Sequence, residues 1–338
     1  MFEGVTLTLL AVFLLGVLFD YINGFHDTAN AIATSVSTRA LKPGHAILLS
    51  AAANFFGAFI GTEVAATVGS GIVSTPGGDA GQVIVASALA GAVAWNLLTW
   101  WLGIPSSSSH ALIGGLLGST IIGVGAGAVH LDALFTKVVI PLVTSPVIGL
   151  AGAFLLMLLI LNVFRHADPR HMNNRFRRLQ LLSAAYMAFS HGSNDAQKTM
   201  GILTLALVTA GKWPASPFHV PAWIIVLAAS AISLGTAVGG WRIIKTMGQK
   251  VVKLDPVHGF AAETTAASVI LFASHLGMPV STTHVVSTAI MGVGASDRFS
   301  AVRWGVAGNI VWAWILTIPA SGLAGAAAWL VLHAVIPT

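Results

Sequence analysis

The chain has 338 residues, 56% of them hydrophobic and only 8% charged, with no cysteine. A soluble domain of ordinary composition carries about 25% charged residues, so 16 Lys and Arg with 11 Asp and Glu cannot coat a globular surface of this size. The mean hydropathy of +0.85 makes lipid the expected solvent, and the missing cysteines exclude a disulfide framework, a thiolate zinc site and an iron–sulfur cluster.

A helix needs about 20 apolar residues to cross the hydrocarbon core. In chain order the candidates run at about 5–37, 45–69, 81–102, 108–128, 134–164, 179–210, 220–241, 256–276, 280–296 and 302–334. The first stretch has neither a basic leading region nor a clear cleavage site before Asp20, so it is expected to be a retained membrane segment. The first, fifth, sixth and last exceed one crossing, which predicts ten to twelve helical pieces, some tilted or broken. The 36 glycines suit close helix packing. They are compatible with a homodimer but locate no interface.

Basic residues set the orientation. With the N-terminus outside and ten crossings, Arg39, Lys42, Arg165, Arg170, Arg175, Arg177, Arg178, Arg242, Lys245, Lys250, Lys253, Arg298 and Arg303 fall on one side, and only Lys137 and Lys212 on the other. This bias predicts cytoplasmic basic loops. The same short clusters between apolar stretches argue against nucleic acid despite a pI near 9.9.

The chain repeats itself. Gly24-Phe-His-Asp27 matches Gly192-Ser-Asn-Asp195 at an offset of 168, and Leu102-Gly-Ile-Pro-Ser-Ser-Ser-Ser-His110 matches Leu276-Gly-Met-Pro-Val-Ser-Thr-Thr-His284 at an offset of 174. Five segments per half is an odd number, so the halves are expected to be inverted, as in many secondary transporters. A re-entrant hairpin around 102–110 would preserve that parity. The expected fold is an all-α membrane protein of two inverted repeats with broken or re-entrant helices, 1–164 and 179–338, joined by a basic linker at 165–178. There is no Walker-type loop to suggest an ATP motor.

Asp27 and Asp195 sit at matching places inside apolar segments. A carboxylate there costs about 2.5–3.5 kcal/mol on insertion scales and usually marks an ion path; a helix cap or a structural hydrogen bond is the plainer alternative. Their polar company is Asn23, His26, Thr28 and Asn30 in one half and His191, Ser193, Asn194, Gln197 and Lys198 in the other. Gly24 and Gly192 are expected to unwind the helix locally and free carbonyls for a cation. Pro105 and Pro279 favour helix starts just after them, and Ser107, Ser108, Ser109, Ser281, Thr282 and Thr283 supply caps. Free N–H groups at such starts attract anions, and hydroxyls both donate and accept, which suits a partly protonated oxyanion such as phosphate. His26 and His191 are proton relays or structural donors with equal weight, and His110 and His284 are expected to be structural. Glu63 and Glu263 are further intramembrane carboxylates with cation, proton or pairing roles open.

These motifs, from Asn23-Gly-Phe-His-Asp-Thr-Ala-Asn-Ala31 through Ser190-His-Gly-Ser-Asn-Asp-Ala-Gln-Lys198 to Pro279-Val-Ser-Thr-Thr-His284, resemble the PiT family of inorganic phosphate transporters over nearly the whole chain. The resemblance implies phosphate uptake by alternating access with a coupled cation. It implies that Ser107, Ser108, Ser109, Ser281, Thr282 and Thr283 hold the anion, and that Asp27, Asn30, Asn194 and Asp195 help bind the cation or anion. Many sodium-coupled members look like Asn-Asp-x-Ala-Asn in both halves, whereas this chain reads His26-Asp-Thr-Ala-Asn30 and Asn194-Asp-Ala-Gln-Lys198. That is similar to the bacterial proton-coupled branch, which implies an inner-membrane location and uptake of phosphate as a neutral complex with a divalent metal. No cofactor or enzymatic activity is expected, since no nucleophile–base–orienter set stands out. Rival readings are a sulfate permease of the same architecture, a membrane phosphohydrolase and a passive channel.

Overall fold

The computed structural model describes residues 6–336; residues 1–5 and 337–338, which the predicted halves include, lie outside the described residues. Among the described residues the only β-type pairing is an isolated bridge between Val73 and Val129.

Helix α1 (Leu7–Ser37) starts at Thr6, whose hydroxyl accepts from the Leu9 N–H. Helix α2 (Pro43–Gly57) stops at a break where Gly61 takes a φ of +79°. The leg resumes as α3 (Glu63–Ala66) and a π-helical turn (Thr67–Gly71). The predicted 45–69 segment is therefore two pieces. Helices α4 (Asp79–Leu102) and α5 (Ser108–Gly123) pack antiparallel. A short α6 (Leu131–Leu134) leads through a π-helical turn into α7 (Ile140–Val163).

Helix α8 (Pro169–Thr209) has 41 residues. At about 1.5 Å per residue that is roughly twice the hydrocarbon thickness. It takes in most of the predicted 165–178 linker, because Asp168 caps its start, Pro169 fits the first helical position, and Met172 and Phe176 bury one face of the basic stretch. Helix α9 (Ala222–Val238) bends by 61° into α10, which starts as Trp241–Lys245. Helices α11 (Pro256–His275), α12 (Thr282–Asp297) and α13 (Trp304–Val335) complete the chain.

By length and apolarity alone, α1, α4, Leu131–Val163 and α13 qualify as spans, and the bent α9–α10 pair adds a fifth. The other predicted segments fall short because they are too short, as α5 and α12 are at 16 residues each, or because they carry buried polar groups, as α8 does. Large apolar side chains such as Leu155, Val163, Leu323 and Val331 are 62–74% exposed, an arrangement that lipid tolerates and water does not.

Helices α4 and α11 end in the same way. Gly103 and Gly277 adopt φ of +67° and +66°, and the next N–H closes back on the helix, Ile104 to Thr99 O and Met278 to Ala273 O, each at 2.9 Å. Pro105 and Pro279 follow and prevent helix continuation. The chain turns, and α5 and α12 begin in the interior. Helix α5 packs on α13 and α12 on α7. These contacts run through glycine: a Cβ on Gly118 would lie 1.9 Å from Gly322 O, and one on Gly292 would lie 2.2 Å from Leu150 O.

Helices α1 and α8 run unbroken through Gly24 and Gly192, so the expected unwinding is not found. Both glycines serve close approach instead. A Cβ on Gly24 would meet Ile232 O at 2.3 Å, and one on Gly192 would meet Asn54 O at 2.2 Å.

Candidate functional site

The stripe Asn23, His26, Asp27, Asn30 and Thr34 follows one face of α1, and His191, Asn194, Asp195 and Lys198 follow one face of α8; all are buried. The two faces meet. Ligand atoms of Asp27, His191 and Asp195 lie within 4.8 Å of one another.

The starts of α5 and α12 close over this cluster. Ser107 and Ser281 act as the predicted N-caps, each accepting from a histidine N–H three residues on, His110 or His284, at 3.2 Å. The Ser109 hydroxyl donates to Val280 O at 3.2 Å and accepts from the Lys198 ammonium. The Asn30 amide donates to Thr282 Oγ1 at 3.2 Å and Thr283 Oγ1 at 2.9 Å, and Thr282 donates to Asp195 Oδ2 at 3.2 Å. The six predicted anion-binding hydroxyls are at most 3% exposed, and Ser108 Oγ has no hydrogen-bond partner.

The His110 and His284 rings meet edge to face at 4.9 Å between centroids, and His284 stacks on Trp314 at 3.9 Å. The Trp314 indole donates to Pro105 O at 3.2 Å and pins the turn before α5. The two rings pack between the paired helix starts, with both ring nitrogens of His284 and Nδ1 of His110 lacking a hydrogen-bond partner.

Hydrogen bonds orient both motif histidines. Thr236 donates to Ile232 O at 2.8 Å, so its oxygen accepts from the Asn54 amide at 2.9 Å. Asn54 Oδ1 must then accept from His191 Nδ1, at 3.2 Å. The other ring nitrogen, Nε2, faces Asp195 Oδ2 at 3.0 Å. That contact closes no hydrogen bond, and Nε2 faces the carboxylate without a hydrogen-bond partner. In the first half the equivalent contact is a hydrogen bond. Thr99 directs its proton to Trp95 O at 2.9 Å and accepts from His26 Nε2 at 3.1 Å, which leaves His26 Nδ1 facing Asp27 Oδ1 at 2.5 Å. Asp195 also holds the ammonium of Lys198, which itself is 1% exposed and donates to Val280 O at 3.2 Å.

Some predicted residues lie apart. Asn194 turns to Ser274 at 2.7 Å and Met278 O at 3.3 Å, bracing the end of α11. Glu263 is bound by Thr34 at 2.5 Å, Ser183 at 2.5 Å and Gln180 at 3.1 Å, a complete network one turn beyond Asn30. Glu63 is the first residue of the four-residue α3; it is exposed and lines a cavity of about 560 Å³ with Ser193, Ser274 and His275. Sequence reading missed Asn54, Thr99 and Trp314. Each sits on an element outside the repeated motifs, with no local signal beyond being polar or aromatic in an apolar run.

Residues 23–325 match the phosphate transporter family. The chain belongs to this family. It is 46% identical over 327 residues, covering 97% of each chain, to a probable low-affinity inorganic phosphate transporter of Bacillus subtilis (strain 168). It is 48% identical over 319 residues, covering 94% of each, to a protein of the same description from Rhizobium meliloti (strain 1021). The solved structure of a sodium-dependent phosphate transporter superposes with a TM-score of 0.89 at 27% identity, covering 97% of this chain and 99% of that one. As a phosphate transporter family member with lipid-facing apolar helices, the chain is an integral membrane protein and not an enzyme. None of these relatives is named for sulfate, so the sulfate alternative gains no support.

Proposed function

We propose that this protein imports inorganic phosphate by proton symport through alternating access, from the cell inner membrane of a bacterium with its basic loops cytoplasmic. The observation that supports this reading is the pair of His–Asp contacts, one on α1 at 2.5 Å and one on α8 at 3.0 Å, each of which could take up a proton. With both protons present, two imidazoliums and the Lys198 ammonium outweigh the carboxylates of Asp27 and Asp195, and the cluster has a net charge of about +1. That charge suits H2PO4−, received by the hydroxyls and free N–H groups at the starts of α5 and α12. Loss of both protons would reverse the sign and expel the anion, which ties phosphate movement to proton movement.

Lys198 stands where Asn30 stands in the first half and supplies a fixed positive charge against Asp195. This favours protons over sodium, because the ammonium already occupies one place a sodium ion would take. A divalent cation travelling with phosphate as a neutral complex is cargo, and Asp27 is the carboxylate not already paired to an ammonium that would face it. Ser107 and Ser281 contribute mainly as caps, while Ser108, Ser109, Thr282 and Thr283 are the anion-facing hydroxyls.

We read residues 1–164 and 179–338 as inverted repeats. Helices α5 and α12 have equal lengths, and α2 and α9 are each followed by a break and a π-helical turn. Rocking of one half against the other would expose the site to each side in turn.

Flux into proteoliposomes with separately imposed proton and sodium gradients tests the reading. Phosphate is expected to accumulate under an inward proton gradient and not under sodium alone, and Asp27→Asn is expected to abolish accumulation. Uptake that follows sodium and ignores pH would overturn proton coupling.

A further inference from the structure

Asp20 belongs to neither repeated motif, and the position matching it at the offset of 168 is Ala188. It lies on α1 two turns before Asp27. Its side chain is 0% exposed and neither carboxylate oxygen has a hydrogen-bond partner. Asn23, one turn on, is also 0% exposed with both amide atoms unpartnered, and so is the hydroxyl of Thr199 on α8. Thr199 and Asn23 face the carboxylate, with Asp195 and Lys198 within charge range.

An ionised carboxylate in such a place needs a counter-charge. Lys198 does not supply it, because its ammonium is held by Asp195, Ser109 and Val280 O. The other helices packed on α1 offer none either. Helix α9 has no titratable side chain. Asp79 of α4 accepts from Thr8, and His45 of α2 is exposed. Arg242 of α10 lies over Trp100, and Lys250 in the π-helical turn after it is exposed. Glu263 of α11 is fully bonded and its exposed His275 lines the outer cavity, while His258 is held by Asp255 and Asp297. His110 and His284 pair with each other.

We propose that Asp20, Asn23 and Thr199 form a second cation site, one that takes a single monovalent cation. The donors are two carboxylate oxygens, an amide oxygen and a hydroxyl, all hard, with one negative charge between them. This set suits sodium or a proton and lacks the charge for a divalent ion. The site lies on α1 and α8, the same two helices that carry Asp27 and Asp195, so its occupancy is placed to report on that cluster. Its role in transport rests on the symport reading above; cation binding itself does not.

Thermal unfolding of the detergent-purified full chain, without phosphate, tests it. Asp27→Asn removes the first cluster's carboxylate that no ammonium holds, leaving Asp195 paired to Lys198. In that background the unfolding midpoint is expected to rise with sodium at fixed pH and ionic strength, or with acidification at fixed sodium; the first result identifies sodium and the second a proton. Adding Asp20→Asn is expected to remove the response, and Asp20→Glu to keep it. In the same Asp27→Asn background, Thr199→Val is expected to shift the response by about tenfold in cation concentration, a change of about 1.4 kcal/mol. A flat response in Asp27→Asn, or one that survives Asp20→Asn, would overturn the site. Because no phosphate is involved, failure of the flux experiment leaves this result standing, and the reverse also holds.

Discussion

Replacing Lys198 with methionine keeps most of the side-chain volume and deletes the ammonium. Lys198 is 1% exposed and Asp195 is 0% exposed, so the variant leaves a carboxylate buried with only Thr282 and His191 beside it. Breaking a buried pair from one side costs about 3–5 kcal/mol. Unfolding entropy of about 2.1 cal/mol/K per residue over 338 residues is roughly 0.7 kcal/mol/K, so the unfolding midpoint should fall by about 4–7 °C. Asp195→Asn, which strands the ammonium, should cost a similar amount. The double variant Asp195→Asn/Lys198→Met has no stranded charge and should recover most of the loss. The assay is thermal unfolding in detergent for all four members of the cycle. Additive losses, or a Lys198→Met midpoint within about 1 °C of the parent, would show that Asp195 does not hold the ammonium and would remove the fixed charge from the proton-coupling argument.

Gly24→Ala places a Cβ about 2.3 Å from Ile232 O, a backbone atom that cannot rotate away. Overpacking of this kind costs about 1–3 kcal/mol, and the midpoint should drop by roughly 1.5–4 °C; unchanged stability would mean that α1 and α9 are not in contact there. At the start of α8, the Arg170 backbone N–H holds the Asp168 carboxyl below the usual carboxylate range, with His171 contributing. A depressed folded value means that the stabilisation is fully present above the ordinary carboxylate value and is lost as pH falls through the depressed one. Amide exchange at residues 170–172 should therefore accelerate, beyond the intrinsic pH effect, only at acid pH, and Asp168→Asn should remove that step.

The placement of particular residues shows what was legible. The Ser/Thr runs after Pro105 and Pro279 were readable as helix starts because proline, a capping hydroxyl and a following apolar run are local chemistry. The start of α8 was not read as helix, because a run of arginines looks like a loop when the buried Met172 and Phe176 are not weighed. Gly24 and Gly192 suggest unwinding from sequence but lie in continuous helix. Glycine serves equally where a helix unwinds and where two backbones touch, and only the neighbouring α9 and α2 distinguish the cases. Asp20 carries no repeat signal, because Ala188 stands at the matching place in the other half.

The sequence alone determined the solvent, the positions of most apolar segments, the twofold repetition and the identity of the paired carboxylates, since each depends on hydropathy and spacing along the chain. Tertiary structure decided which of those residues face one another, that Lys198 closes on Asp195 and Ser109, that Asn194 and Glu263 belong to other networks, and that Asp20 is left without a counter-charge. Hydrogen-bond direction and burial are properties of neighbours brought together across more than a hundred residues, and no local pattern encodes them.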